Sequence, residues 1–193
     1  MTTGKTRAFG ATTAVMLLAS CAGQPPIEGT DGNAPCPLVS GTYCATGSIS
    51  EKSHMDRDRP FLPYYLGIKS TPDWESVDTV EIDGVSDGSL RLILRSGEVE
   101  LARAEVPRSR LLCDADRFAI KMDTIPWGGG GPILTLGASS GWRMIHRDTD
   151  GILHIDQKRR ETGTLMLVIP FIARSETSMQ FQPVNEGGCP PQM

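Results

Sequence analysis

The sequence has few aromatic residues (6%), only three histidines, and fewer basic residues than acidic ones, 19 against 23. The net charge of −4 provides no electrostatic surface for a phosphate backbone, so we expect no nucleic-acid partner. No stretch shows the 3.6-residue period of an amphipathic helix, which argues against a helical bundle. With 39% hydrophobic and 22% charged residues, the composition is that of one globular domain with a real core.

Catalytic motifs occur only as strings without their structural context. Residues 137–141 read Gly-x-Ser-x-Gly with Ser139 at the centre, but that nucleophile elbow needs a strand, a turn and a helix, whereas strands are predicted on both sides here. Four glycines follow Trp127, yet Pro132 comes next, where a nucleotide P-loop continues with Lys and Ser or Thr. We therefore expect no enzyme, no cofactor and no metal site.

The N-terminus has the layout of a bacterial export signal. Lys5 and Arg7 precede an apolar stretch, 8–18, which is shorter than the ~20 residues that a membrane-spanning helix needs. Leu18-Ala19-Ser20-Cys21 follows and resembles the bacterial lipobox, in which an aliphatic residue and two small residues precede a cysteine. The resemblance implies that Cys21 is lipidated, and two or three acyl chains anchor a protein stably to a membrane.

The lipobox divides the chain into a signal peptide over 1–20, a tether over 21–37 and a single β-rich domain over 38–193. The tether is rich in Gly and Pro and has few apolar side chains, so it is predicted to be flexible. In lipoproteins of diderm bacteria, Asp after the cysteine favours the inner membrane. Ala22 stands there in this chain, which implies the periplasmic face of the outer membrane.

Four cysteines remain after Cys21, and an even number in an oxidising compartment predicts two disulfide bonds. Three pairings exist, and the sequence does not choose among them. We favour a pairing that would join the C-terminal tail to the first strand. No Cys-x-x-Cys spacing is present, which argues against zinc. The favoured pairs are Cys36 with Cys113 and Cys44 with Cys189.

From Val39 onward the dominant hydrophobic period is two, as in half-buried antiparallel strands. Segments 89–95 and 117–122 alternate in this way, and the more continuously apolar 164–171 is predicted to be a buried central strand. We expect an all-β domain of eight to ten strands, an antiparallel meander closed or nearly closed into a barrel, with a β-sandwich as the alternative. Hairpin turns are predicted at Ser96-Gly97, Asp150-Gly151 and Thr162-Gly163.

The domain opens with Cys36-Pro37-Leu38-Val39-Ser40-Gly41-Thr42-Tyr43 and later contains Asp150-Gly151-Ile152-Leu153-His154-Ile155 and Leu167-Val168-Ile169-Pro170. In these segments it resembles a loose group of proteobacterial lipoproteins that begin with a similar Cys-Pro segment and continue as β-hairpins. That group usually ends with an aromatic-rich strand, where this chain has only Met179-Gln180-Phe181. Gly41-Thr42-Tyr43 is also faintly similar to the Gly-x-Trp that opens lipocalin barrels. Neither resemblance brings an activity with it.

Several segments are candidate sites. His146 and His154 flank the turn at Asp150-Gly151 and would meet across it, with Asp148 and Asp156 nearby, although partly exposed side chains are the simpler interpretation. The segment 61–66 is dense in apolar residues and is predicted to be core, or a protein-contact surface if exposed. The basic run 158–161 is predicted to be a solvated hairpin end, or else a contact for lipopolysaccharide phosphates. A flexible loop that could form a barrel mouth or a weak ligand-binding lip is predicted at Trp127, Gly128, Gly129, Gly130 and Gly131.

Three functions follow from these patterns. The first is a membrane-anchored lipoprotein of the bacterial envelope with a structural or protein-interaction role. The second is a carrier of a small ligand or lipid inside a β-barrel, with an apolar cavity that opens near Trp127. An enzyme is the third and least supported. The expected partners are a membrane, through the lipid on Cys21, and an envelope protein or a lipid ligand.

Overall fold

The computed structural model describes residues 36, 39–50, 59–68, 74–84, 88–114, 116–129, 135–165, 168–185 and 188–189. Eleven strands and one four-residue helix occur in these residues, together with two short 3-10 turns. Within these ranges no helix has the length and the apolar character required to cross a membrane. The strands are β1 Gly41–Cys44, β2 Ser48–Ile49, β3 Thr79–Gly84, β4 Leu90–Ser96, β5 Val99–Val106, β6 Leu111–Cys113, β7 Arg117–Lys121, β8 Ile125–Gly129, β9 Thr135–Arg147, β10 Leu153–Leu165 and β11 Ile169–Phe181, and the helix α1 is Leu62–Tyr65.

The strands form two antiparallel sheets. The smaller has the order β1-β3-β4-β5, and the larger has the order β2-β11-β10-β9-β7-β6 with β8 also paired to β9. The all-β class and the antiparallel pairing are therefore confirmed. The expected closed barrel is wrong, because in the described residues neither sheet returns to pair with its own first strand. The arrangement is the sandwich-like alternative.

One hydrophobic core joins the two sheets. The smaller sheet contributes the alternating leucines of β4, and Leu90, Leu92 and Leu94 are at most 3% exposed, as their period of two predicts. The larger sheet contributes Phe118 and Ile120 from β7 together with the inner residues of β9, β10 and β11. Full burial of such a side chain stabilises the fold by roughly 1.5–3 kcal/mol. This core occupies only one half of the larger sheet.

The other half of the larger sheet extends away from the core. Strands β9, β10 and β11 have 13 residues each and pair along their whole length. The predicted buried strand over 164–171 is wrong, because β10 ends at Leu165 and β11 begins at Ile169, so that the chain reverses inside the apolar run. Continuous hydrophobicity is compatible with two exposed strand ends as well as with one buried strand, and the sequence alone does not separate them.

The hairpin turns were predicted correctly at two of the three sites. Gly97 and Gly151 adopt positive φ angles of 54° and 83° between paired strands, as tight hairpins require. The predicted turn at Thr162-Gly163 is wrong, since both residues lie inside β10. A Cβ at Gly163 would lie 2.6 Å from the carbonyl oxygen of Leu136, so glycine serves close packing there.

Two disulfide bonds connect the sheets, in the pairing favoured from the sequence. Cys36 lies beside Cys113 with a Cα–Cα distance of 4.7 Å, and Cys44 lies beside Cys189 at 5.6 Å. Cys44 ends β1 of the smaller sheet and Cys113 ends β6 of the larger one. Cys36 precedes β1, and Cys189 follows the last strand of the larger sheet. The two bonds therefore connect the two ends of the β1 region, at Cys36 and Cys44, to the larger sheet and to the segment that follows it.

Candidate docking site

The predicted lipidation site is outside the described residues. This applies to the signal peptide over 1–20, to Cys21, to nearly all of the tether, and to Gly130 and Gly131 of the glycine run. Of the predicted site residues, Trp127, Gly128, Gly129 and the four paired cysteines are described. The structure therefore provides information about the contact surfaces of the β-domain and not about the lipid anchor.

The two histidines meet across the β9–β10 hairpin. His146 and His154 are direct cross-strand partners, and their rings stack with centroids 4.9 Å apart and an interplanar angle of 10°. Nε2 of His154 lies 2.9 Å from Oδ2 of Asp148, whereas Asp156 accepts a hydrogen bond from the hydroxyl of Ser178 on β11. The expected proximity of the histidines is thus present, with the two carboxylates bonded to different neighbours. The described residues contain no group of three or more His, Cys, Asp or Glu side chains placed to hold a metal ion.

Asp148 organises the hairpin turn beside the histidines. Its Oδ1 accepts hydrogen bonds from the backbone N–H groups of Asp150 (3.0 Å) and Ile152 (2.8 Å), which is the local bonding that makes Asp favourable in turns. The hydrogen bond with His154 is the main cause that lowers the pKa of the Asp148 carboxyl below its usual value, and the backbone N–H groups add to it. The hydrogen bonds of Asp148 and His154 are therefore accounted for by their role in forming the hairpin turn.

Trp127, Gly128 and Gly129 lie in a strand, so the predicted flexible loop is wrong for the described part of the glycine run. They belong to β8, which pairs with β9 in the register Trp127↔Gly137. A Cβ at Gly137 would overlap the Trp127 ring and lie 2.5 Å from the carbonyl oxygen of Thr162. Glycine in an extended strand does not have to mark a turn, because it also occurs where an aromatic ring from a neighbouring strand packs directly on the backbone.

Two aromatic rings meet above a pair of glycines on this part of the sheet. Gly137 pairs with Gly163, and Gly163 pairs with Phe171 on β11. The rings of Trp127 and Phe171, from the two outer strands, approach each other over these glycines with centroids 5.7 Å apart. The indole N–H of Trp127 is buried and has no hydrogen-bond partner. Aromatic contact thus binds four neighbouring strands together beyond the core.

These strand ends form an exposed apolar surface, which we call the uncharged arm and define as residues 125–129, 135–139, 162–165 and 168–173. No Asp, Glu, Lys or Arg occurs from 124 to 142 or from 162 to 173, and the pairing of β8, β9, β10 and β11 brings these two runs together. Eight large hydrophobic side chains are exposed among the described residues. Five of them lie in the arm, namely Ile125, Leu136, Val168, Ile169 and Ile172.

The arm is apolar on both faces. Leu136 pairs with Thr164, and Ile172 pairs with Thr162. Thr162 and Thr164 are two residues apart in β10 and therefore point to the same face of the sheet. Since cross-strand partners also share a face, Leu136 and Ile172 lie on that face. Ile125 and the Trp127–Phe171 pair occupy the other face. A one-sided protein interface would need only one of these surfaces.

A row of charged residues borders the arm on the side of the core, and we call it the basic row. It contains Lys158, Arg159 and Arg160 in β10 and Arg174 in β11, against the two acids Glu161 and Glu176. The basic run of β10 therefore lies in the middle of a long strand, and the predicted hairpin end is wrong. Lys158 pairs with Glu176 at 3.4 Å and Arg159 with Glu161 at 2.9 Å. Arg160 and Arg174 are direct cross-strand partners, an arrangement in which like charges repel.

The apolar segment 61–66 packs largely into the core, as predicted. Leu62 and Leu66 are fully buried, whereas Tyr64 is exposed. The buried guanidinium of Arg143 on β9 donates hydrogen bonds of 2.9 Å from Nη1 to the carbonyl oxygens of both Tyr64 and Tyr65, and Nε donates to Gln157 at 3.0 Å. Burial lowers the pKa of Arg143. This side chain fastens α1 to the larger sheet, and the segment does not provide the apolar contact surface.

A hollow of about 260 Å³ lies against β9, β10 and β11. Its lining is mostly polar, and Trp127 is not part of it. A lipid or apolar ligand requires a mainly apolar enclosure, which this hollow does not offer. The lining residues are Met144, Asp156, Gln157, Lys158, Glu176, Thr177 and Ser178.

Comparisons with protein-family models, with curated proteins and with solved structures gave no match.

The arm could not be recognised as a unit from the sequence alone. Its signal was present in two uncharged runs, 124–142 and 162–173, in a chain with 22% charged residues. The first run contains strings similar to phosphate-binding and nucleophile motifs, and the second has the continuous hydrophobicity of a buried strand. Only the strand pairing shows that the two runs are neighbours at one end of the sheet.

Proposed function

We propose that this chain is a lipid-anchored protein of the bacterial envelope whose β-domain docks onto another envelope component through the uncharged arm. The lipobox-like Leu18-Ala19-Ser20-Cys21 provides the anchor, and two disulfide bonds suit an oxidising compartment. One observation carries the docking role: most of the exposed large hydrophobic side chains are gathered at one end of one sheet. Exposed apolar patches of this kind mark interaction sites.

The carrier function is less well supported by the geometry. A carrier was expected to have an apolar cavity that opens near Trp127. The described strands instead form two sheets with one hydrophobic core between them, and the Trp127 ring packs on Phe171 outside that core. The interaction role is therefore the better proposal.

Anchoring is tested by fractionating a diderm bacterium that expresses the chain with its own N-terminus. We expect the protein in the outer-membrane fraction, with a mass that shows acyl chains on Cys21. The variant Cys21→Ala should lose both, whereas Cys36→Ala, which also removes one cysteine, should remain acylated. Ala22→Asp should move the protein to the inner membrane. Recovery of unacylated wild-type protein from the soluble fraction would contradict the anchor.

Docking is tested separately with a photo-crosslinking amino acid at Ile172 in the arm or at Val99 in β5. Both positions are exposed hydrophobic residues in strands, 59% and 62% respectively, so they are matched. We expect specific adducts from position 172 and few from position 99. Equal labelling from both positions would contradict a docking role of the arm.

A further inference from the structure

We propose that the uncharged arm inserts into the interfacial region of a phospholipid bilayer, with the basic row at the level of anionic headgroups. This inference rests on the proposed function, since it names the component onto which the arm docks. It starts from the two-faced character of the arm. Leu136 and Ile172 on one face and Ile125 on the other are each about half exposed or more, and a lipid surface can cover both faces at once.

The charges bordering the arm suit such a surface. Juxtamembrane Lys and Arg residues are attracted to anionic lipids, and the basic row has four of them against two acids. Arg160 and Arg174 stand directly opposite one another. A lipid phosphate near these guanidinium groups would accept charge-assisted hydrogen bonds, which an apolar protein surface would not do.

Two tryptophans lie on this half of the larger sheet. Trp142 pairs with Lys158 of the basic row, and Trp127 lies on the arm above Gly137. Both are partly exposed. Tryptophan is enriched where hydrocarbon meets headgroups, because its ring is apolar and its N–H is polar. Trp142, level with the basic row, therefore has the position expected of an interfacial anchor, whereas the Trp127 ring lies among the apolar side chains of the arm with its N–H buried.

The length of the arm limits how deep it reaches. Five residues of β9, from Thr135 to Ser139, extend about 17 Å at the rise of a strand. A membrane-spanning strand needs about 9–11 residues, and the hydrocarbon core is about 30 Å thick. The arm can therefore enter one leaflet and cannot span. Shallow insertion also keeps the backbone groups of its outer strands near water and headgroups.

The anchor and the arm can reach the same bilayer. Cys36 is bonded to Cys113, which stands in the same cross-strand row as Phe118 and Ile145. From Ile145 to Thr135 the sheet extends about 33 Å. The fifteen residues from Cys21 to Cys36 span at most about 50 Å when extended. The arm can therefore add a second attachment to the bilayer that holds the acyl chains of Cys21.

The test uses the acylated full-length chain reconstituted into vesicles of phosphatidylethanolamine and phosphatidylglycerol. Trp74→Phe and Trp142→Phe leave Trp127 as the only tryptophan. We expect its emission to be quenched by lipids brominated in the upper acyl chain. Quenching should be lost in Leu136→Glu/Ile172→Glu and retained in the control Val99→Glu, since all three positions are exposed and their changes spare the core.

The basic row is tested with Arg174→Glu, which removes one cation from the row at an exposed position and places a carboxylate opposite Arg160. We expect weaker Trp127 quenching in vesicles with phosphatidylglycerol and an unchanged or higher melting temperature. Arg91→Glu in β4 changes the net charge equally and breaks only the 3.9 Å ion pair with Asp83 in the smaller sheet, so it should leave quenching as in the parent.

Trp127 that stays unquenched in acylated, vesicle-bound protein would overturn the inference and leave the anchor intact. Crosslinking of position 172 to a second copy or to an envelope protein, without quenching, would do the same and identify a protein partner. Protein that lacks acyl chains but is quenched on added vesicles would overturn the anchor and support the arm. The two failures are therefore distinguishable.

Discussion

At the scale of single residues, Arg143 connects α1 to the larger sheet. It is buried and donates to two carbonyl groups at the end of α1 and to Gln157, so its loss removes three hydrogen bonds, although the Tyr64 carbonyl keeps the bond from the Gly67 N–H. We expect Arg143→Met to lower the free energy of unfolding by about 2–4 kcal/mol, measured by urea denaturation. Arg147→Met, at an exposed position with one bond to Ser40, is the control and should change it far less. Equal effects would contradict the fastening role.

Asp148 makes the hairpin turn sensitive to acid. Its pKa is lowered in the folded state by His154 and by two backbone N–H groups, so the charged carboxylate stabilises the fold above the ordinary value of 3.8. This stabilisation is present at pH values above the ordinary pKa, and it is lost as the pH falls through the lower pKa of the folded state. We expect the melting temperature to fall less between pH 5 and pH 3 in Asp148→Asn than in the wild type. Asp150→Asn is the matched control in the same turn, and parallel curves for Asp148→Asn and wild type would count against this prediction.

At the scale of elements, the arm depends on glycines that aromatic rings cover. A Cβ at Gly137 would overlap Trp127 and lie 2.5 Å from the Thr162 carbonyl oxygen, so the ring or the strand must move. We expect Gly137→Ala to lower the free energy of unfolding by about 1–3 kcal/mol, as overpacking does, and to change Trp127 fluorescence. At Gly128 a Cβ would meet only the flexible end of Leu136 at 3.1 Å and the Thr135 carbonyl oxygen at 3.6 Å. Gly128→Ala should therefore be nearly neutral, and a loss as large as that of Gly137→Ala would refute this account.

The elements show where sequence reasoning succeeded. The alternation in β4 and the turns at Gly97 and Gly151 were predictable, because burial on one face and positive φ leave local signatures. The contact between His146 and His154 followed from the turn between them. The reversal between Leu165 and Ile169 was not predictable, because an apolar run marks burial and an exposed docking surface equally well. The glycines of the arm were wrongly predicted to form a loop for a related reason, since glycine is favoured both in turns and where strands pack closely.

At the scale of the whole molecule, the two disulfide bonds hold the smaller sheet to the larger one around β1. The bonds close loops with sequence separations of 77 and 145 residues, and in the loop-entropy model each contributes about 4–5 kcal/mol. Since the dependence on loop length is logarithmic, the two contributions should differ by less than about 1 kcal/mol.

The loop-entropy model predicts similar losses for two double variants. We expect Cys36→Ala/Cys113→Ala and Cys44→Ala/Cys189→Ala each to lose about 2–5 kcal/mol of unfolding free energy, measured by urea denaturation without reductant. Adding reductant should destabilise the wild type more than either variant, because it opens both bonds in the wild type and only one in each variant. A further loss of less than 1 kcal/mol on reducing either variant would show that its remaining bond contributes little. Equal sensitivity of wild type and variants would instead place the stability in the core between the sheets, to which the leucines of β4, Phe118 and Ile145 belong.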